Sequence, residues 1–150
     1  MTFERAPLLL VLLISLITTA CQNRTPRAER AKPQVAITSD AVFIRRAPAA
    51  EVRIAVDAVE GQARQMVQLH IDDLPLPLQA HQQRAVDAAF VQWQRLRQHL
   101  IDSGQLTAAT RSVRADLPTE LVSAQEQLLQ EIPEVAPYRQ SFGNIQATWH

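Results

Sequence analysis

The sequence predicts an all-α fold, a small bundle of about three amphipathic helices that follows a flexible N-terminal arm. Three observations favour this class. Apolar residues recur at steps of three and four over most of the chain after Pro48. Prolines and glycines stand where such helices would end, and the 150 residues include only three glycines. Amphipathic helices bury their apolar faces against one another, so we expect antiparallel neighbours around one core.

The first predicted helix covers residues 49–72. Its apolar stripe consists of Val52, Val56, Val59, Ala63, Met66 and His70, flanked by Ile54, Val67 and Ile71. The steps of four and three along this stripe place its members on one face of an α-helix. Gly61 lies inside the stretch, and the prolines of residues 74–78 end it, because proline lacks an amide donor.

Two further helices have clearer limits. The second carries its apolar face on Val86, Ala89, Phe90, Trp93, Leu96, Leu100 and Ile101. Ser103 and Gly104 follow as its stop, since glycine accepts the left-handed conformation of a helix end. The third carries its apolar face on Leu117, Leu121, Ala124, Leu128 and Ile132. Pro118 lies in its first turn and Pro133 beyond its end. Phe90 and Trp93 are expected in the core, with an exposed partner hot spot as the alternative.

Periodicity does not decide three other segments. Residues 35–44 are predicted to form a short strand or packed coil. Residues 106–113 are a candidate for a short additional helical piece. The tail from residue 134 carries aromatic and apolar residues at Tyr138, Phe142, Ile145 and Trp149, which indicate a final helical turn or a packed strap that is interrupted at Gly143.

The N-terminus has the pattern of an export signal. A short polar start with Arg5 precedes an apolar stretch over residues 6–17, and Thr18-Thr19-Ala20-Cys21 follows it. The apolar stretch is shorter than the roughly 20 residues that cross a membrane, which argues against an uncleaved anchor. Residues 18–21 resemble the lipobox of bacterial lipoproteins, although Thr18 stands where that family usually has leucine.

The resemblance to lipoproteins implies a lipid attachment site and a location in the cell envelope. In that family the cysteine is acylated and becomes the first residue of the mature protein, so Cys21 is the expected lipid attachment site. Gln22, in place of an inner-membrane-retaining aspartate, implies transfer to the outer membrane. Cys21 is the only cysteine, so the chain has no disulfide pair to form.

Composition divides the chain into three parts: a signal peptide over residues 1–20, a lipidated and flexible basic linker over 21–48, and a helical periplasmic domain over 49–150. The linker carries an excess of basic residues: Arg24, Arg27, Arg30, Lys32, Arg45 and Arg46 against Glu29 and Asp40. It is interpreted as a solvated tether, with contact to anionic headgroups or to the cell wall as the alternative. The export signal and the lack of interleaved aromatics argue against nucleic acid as a partner.

One cluster of residues is a candidate site. His70, Asp72 and Asp73 lie close in sequence, with His81 beyond a proline-rich loop, and they could bind a divalent metal or form a general base. A packed histidine followed by turn aspartates is the preferred interpretation. His99 and His150 add no spaced ligand set. Serine-nucleophile, phosphate-loop and paired-cysteine motifs are absent, so no catalytic residue, cofactor or metal is predicted.

The expected function is a non-catalytic binding or accessory module for another envelope protein, held on the outer membrane by the lipid at Cys21. An inhibitor or immunity lipoprotein is the alternative, and an envelope enzyme that uses His70 with Asp72 or Asp73 is a further one.

Cys21→Ser should abolish acylation, because the thiol that receives the lipid is removed. Cells fed an acyl-chain analogue should label the wild-type protein and not the variant, which should persist as an unprocessed precursor. If the wild-type protein takes up no label, the lipoprotein interpretation is wrong.

Overall fold

The computed structural model describes residues 32–46, 50–58 and 65–150. In this part of the chain a seven-stranded mixed sheet packs with two α-helices and a 3₁₀ helix. The elements in chain order are β1 (Gln34–Ile37), β2 (Ala41–Arg46), β3 (Ala50–Ala58), β4 (Gln65–Ile71), β5 (Leu74–Pro75), α1 (Ala80–Asp102), β6 (Ser112–Ala115), α2 (Thr119–Glu131), the 3₁₀ helix η1 (Pro133–Gly143) and β7 (Ile145–Thr148). The prediction of an all-α helical bundle is therefore wrong, and the fold is α/β.

The strands lie in the order β5-β4-β3-β2-β1-β7-β6. The first five form an antiparallel meander, and β6 pairs with β7 in the same antiparallel manner. Only the pairing of β1 with β7 is parallel, with Val35 opposite Ile145 and Ile37 opposite Ala147. The first and last strands of the described domain thus lie side by side within the sheet.

One face of the sheet forms the core together with the helices. Alternate strand residues point to this face, because successive side chains of a strand alternate between faces. Those that are fully or almost fully buried are Val35, Ile37, Val42, Ile44, Val52, Ile54, Leu69, Ile145 and Ala147. They form a single cluster with the apolar residues of α1, α2 and η1. The residues between them in sequence, among them Phe43, Arg53 and His70, occupy the opposite face.

The segment predicted as a helix over residues 49–72 contains β3 and β4 instead. Positions i and i+4 share a face in both a helix and a strand, so Val52 and Val56 fit either structure. Ile54 decides the matter, because Val52 and Ile54 are both buried with 0% exposure, as alternating residues of a strand. In β4, Val67, Leu69 and Ile71 alternate in the same way and lie opposite Val56, Ile54 and Val52.

The domain begins earlier than predicted. Residues 35–44 form β1 and most of β2, so the alternative of a strand is correct for this segment. Because β1 and β2 lie inside the sheet, residues 34–46 belong to the folded domain and not to a flexible linker that ends at residue 48. The two strands are joined by a tight turn in which the Thr38 hydroxyl bonds to the backbone of Ala41.

The second and third predicted helices are confirmed as α1 and α2. The side chain of Gln82 accepts the backbone N–H of Gln79 at 3.0 Å and so caps the start of α1. The helix ends at Asp102, Ser103 is its C-terminal cap, and Gly104 follows with a φ of +74°, as predicted for its stop. For α2, Pro118 is the N-terminal cap residue and Pro133 lies beyond the C-terminal cap.

The two remaining segments differ in part from expectation. Residues 106–113 form turns followed by the start of β6, not a short helical piece. The tail contains η1, which includes Tyr138 and Phe142, and then β7 after Gly143. Arg97 of α1 holds the end of β7 by donating to the carbonyls of Thr148 at 2.9 Å and Trp149 at 2.6 Å.

Trp93→Ala should destabilise the domain strongly. The Trp93 side chain is fully buried and stacks on Phe142 of η1 at a ring-centroid distance of 6.1 Å. Truncating a buried aromatic residue to alanine costs about 3–5 kcal/mol, a large share of the roughly 5–15 kcal/mol that stabilises a small domain. Thermal unfolding should show a much lower Tm.

Val91→Ala on the same helix is the matched control, because Val91 is 44% exposed. Its Tm should stay within a few degrees of the wild-type value. A Trp93→Ala protein that melts like the control would contradict the core assignment and return Trp93 to the role of a partner hot spot.

Candidate functional site

A histidine, a carboxylate and a guanidinium meet on the sheet face opposite the helices. His70 of β4 lies directly across from Arg53 of β3. The His70 Nε2 lies 2.8 Å from Oδ2 of Asp57, and the Arg53 guanidinium donates to both Asp57 oxygens at 3.2 and 3.4 Å. Ala55 lies between Arg53 and Asp57 on the same face, and its small side chain lets the two long neighbours approach each other above it.

The ion pair sets the protonation of Asp57. Burial raises the pKa of this carboxyl, but the hydrogen bonds from Arg53 and His70 and the attraction of their charges lower it by more. The net pKa of Asp57 therefore lies below its usual value of 3.8, and the carboxylate stays ionised at neutral pH.

His70 is almost fully buried beside Asp57. Its side chain is 10% exposed, and its Nδ1 is buried without a hydrogen-bond partner among the described residues. A general base needs a nitrogen that reaches the proton it removes. Because Nε2 of His70 faces Asp57 and Nδ1 is closed to solvent, neither nitrogen is open to a substrate in this conformation. The group stabilises the pairing of β3 with β4 across the open face.

Asp72 and Asp73 form the turn between β4 and β5. Ile71 and Leu74 pair across this two-residue loop, and the φ angles of the two aspartates are +49° and +65°. Positive φ at both central positions is the requirement of a type I′ hairpin turn, which aspartate tolerates better than most residues. The Asp72 carboxylate accepts the Glu51 N–H at 3.3 Å, so it joins the turn to β3 and does not pair with His70.

The other histidines do not join this group. His81 lies 3.3 Å from a carboxylate oxygen of Glu131 on the surface, His99 is in the last turn of α1, and His150 is exposed. Cys21 and the arm over residues 22–31 lie outside the described residues. Sequence reasoning missed Asp57 and Arg53, although their two-residue alternation with Ala55 would have placed them on one face of a strand.

Metal binding finds no support among the residues that the structure describes, where no group of three His, Cys, Asp or Glu side chains could hold an ion. A polar recess of about 280 Å³ lies beside the Asp72–Asp73 turn, between Glu51 and Arg53. Arg45 pairs with Glu51 at 2.6 Å at its margin, so charges of both signs are close together there.

An apolar groove lies along the outer edge of β4. It has a volume of about 300 Å³ and runs between this strand and the segment of residues 75–78 that leads to α1. Its main lining side chains are Met66, Gln68, Leu69, Leu76, Leu78 and Gln83. The groove is at the lower end of the size range of ligand pockets, and no charged side chain lines it.

No protein-family model, curated protein or solved structure matches this chain. Among the described residues, none of the helices combines the length and the apolar composition that a membrane span requires.

Asp57→Asn should lower stability at neutral pH and have little effect in acid. Because the folded-state pKa of Asp57 lies below 3.8, the stability from its carboxylate is fully present above 3.8 and is lost as the pH falls through the lower folded-state value. Thermal melts between about pH 6 and about pH 2 should show the Tm difference between wild type and variant shrinking below 3.8.

Asp116→Asn is the control for this series, because Asp116 is exposed on the loop after β6. Its Tm should follow the wild-type value at every pH. A constant Tm difference between wild type and Asp57→Asn over the whole range would show that the ion pair does not couple to protonation.

Proposed function

We propose that this chain is a periplasmic lipoprotein, anchored in the outer membrane through acylated Cys21, that acts as a non-catalytic binding module for another envelope component. The lipobox-like residues 18–21 support the anchor, and Gln22 supports the choice of membrane. Two or more acyl chains hold a protein firmly on a bilayer, so the domain would act next to the membrane surface.

The separation of His70 from Asp72 and Asp73 is the observation that carries the non-catalytic part of the proposal. His70 is committed to Asp57 at 2.8 Å, and the two aspartates have the backbone conformation of a hairpin turn. His70, Asp72 and Asp73 thus contact different parts of the sheet, which supports a structural role for each of them. The other ring nitrogen of His70, Nδ1, is buried, so it does not reach a substrate in this conformation.

The apolar groove beside β4 supports the binding part of the proposal. Met66 is 37% exposed and lines the groove together with Leu76 and Leu78. Contiguous exposed apolar surface on a small domain is typical of interaction sites. A partner that covers the groove would remove this apolar surface from water.

Affinity capture tests the proposal with the full-length acylated protein in detergent-solubilised envelopes. The variant Asp72→Asn/Asp73→Gly serves as the matched control, because Asn-Gly is the preferred type I′ pair and should raise the free energy of unfolding by up to about 1 kcal/mol. Wild type and variant should enrich the same envelope protein in equal yield.

Two results would overturn the proposal. No envelope protein is enriched over a mock eluate, in which case the binding role is wrong. Alternatively, the Asn-Gly variant folds normally but no longer captures the partner, which would place the binding surface at the acidic turn and not in the groove beside β4.

A further inference from the structure

The outer edge of β4 is only partly covered. This strand spans Gln65–Ile71, but β5 pairs only with His70 and Ile71, and the Leu76 N–H adds one bond to the Leu69 carbonyl at 2.8 Å. In the described part of the chain no other strand pairs with this edge. Residues 65–68 therefore present a strand edge to the groove.

The carbonyls of alternate β4 residues point toward this edge. Leu69 gives its oxygen to Leu76, and Val67 gives its oxygen to the side-chain amide of Gln83 at 2.8 Å. In an antiparallel strand, the N–H and C=O of one residue point to the same side, so the backbone groups of Val67 and Gln65 both point to this edge, next to Met66 and Gln68 of the groove. These are the groups that an added strand would pair with.

The Gln83 side chain donates the hydrogen bond that the backbone of a neighbouring strand would otherwise donate. Its carboxamide has the chemistry of a backbone amide, and it donates to Val67 and also to the Asp87 carboxylate, each at 2.8 Å. An edge carbonyl satisfied by a side-chain amide can exchange that donor for the N–H of an incoming strand at little cost, because one amide bond replaces another.

The residues that line the groove determine which side chains an added strand could place there. All eight lining residues are uncharged, in a chain of which 20% is charged. Burying an unpaired charge among Met66, Leu76 and Leu78 would be costly. The other edge strand of the sheet, β6, exposes Arg114, a charge of the kind that blocks edge pairing. The edge at β4 has no such charge between Gln65 and Gln68.

We infer that the groove beside β4 binds an extended, uncharged apolar segment of the envelope partner, which adds as a strand along residues 65–68 and displaces the Gln83 amide from the Val67 carbonyl. Strand addition is a common mode of peptide recognition, in which the backbone gives affinity and the pockets give selectivity. This inference rests on the proposed function and identifies the chemistry of the partner.

Photo-crosslinking in cells tests the inference on the full-length acylated protein. p-Benzoylphenylalanine replaces Met66 in the groove and, as a matched control, Val122 on α2, which is 42% exposed. We expect the probe at Met66 to crosslink to an uncharged apolar segment of an envelope protein, identified by mass spectrometry of the joined peptides. The probe at Val122 should give no such product.

A synthetic peptide of the crosslinked segment then tests strand addition. It should slow amide hydrogen exchange at Gln65 and Val67 when it is added to the purified full-length protein in detergent. Met66→Lys should weaken its binding by at least about tenfold, because the charge lies in the apolar groove. Val122→Lys should leave the affinity unchanged. Gln83→Ala should bind the peptide as tightly as wild type or more tightly, since the competing amide is gone.

Several outcomes would overturn the inference. Crosslinks from Met66 to a second copy of this chain, to lipid, or to a charged segment would assign the groove another occupant. Weaker peptide binding by Gln83→Ala would make Gln83 a direct contact and rule out pairing at Val67. No crosslink from Met66, with envelope capture intact, would refute the groove and leave the binding module standing. Loss of both the Met66 crosslink and the envelope capture would refute this inference and the proposed function together.

Discussion

The parallel pairing of β1 with β7 is the constraint on which the rest of the fold depends. Without it, the five-stranded meander and the β6–β7 pair would be separate sheets. Side chains support the backbone ladder at this seam: Asn144 donates to the Pro33 carbonyl at 3.1 Å and Thr148 to the Ile37 carbonyl at 3.1 Å, in each case across 111 positions of the chain. Such distant pairing costs loop-closure entropy, so α1, α2 and η1 must bury enough apolar surface to offset it.

Helices of this fold could be predicted because each has a long one-sided pattern and defined ends. α1 keeps a buried stripe over 23 residues, and α2 is bounded by Pro118 and Pro133. The strands could not be predicted from the same reasoning, because residues four apart share one face in an α-helix and also in a β-strand. Val52 and Val56 are four residues apart and so fit one face of a helix, whereas Ile54, between them, lies only beside that face. Strand pairing then depends on partners far along the chain, which a local pattern does not contain.

The same ambiguity misplaced the candidate site. In a helix, His70 has Asp72 and Asp73 as neighbours, and that proximity suggested a site. In the hairpin of β3 and β4, the register brings His70 to Arg53 and Asp57, which are 17 and 13 residues earlier in the chain. A carboxylate partner for the histidine was therefore a reasonable expectation, but its identity depended on the register. The preferred interpretation of Asp72 and Asp73 as turn residues agrees with their positive φ angles.

The position of the groove within the sheet fits a tethered binding domain. Residues 32 and 33 lead into β1, and β4 is the third strand from it in the meander. At about 4.8 Å between neighbouring strands, the groove edge lies roughly 14 Å from the strand through which the domain connects to Cys21. The edge strand on the far side of β7 carries the exposed Arg114, whereas residues 65–68 carry no charge. Among the described strands, the uncharged edge at residues 65–68 thus lies away from β1, and a strand added there would extend the sheet without disturbing the β1–β7 pairing that holds the domain together.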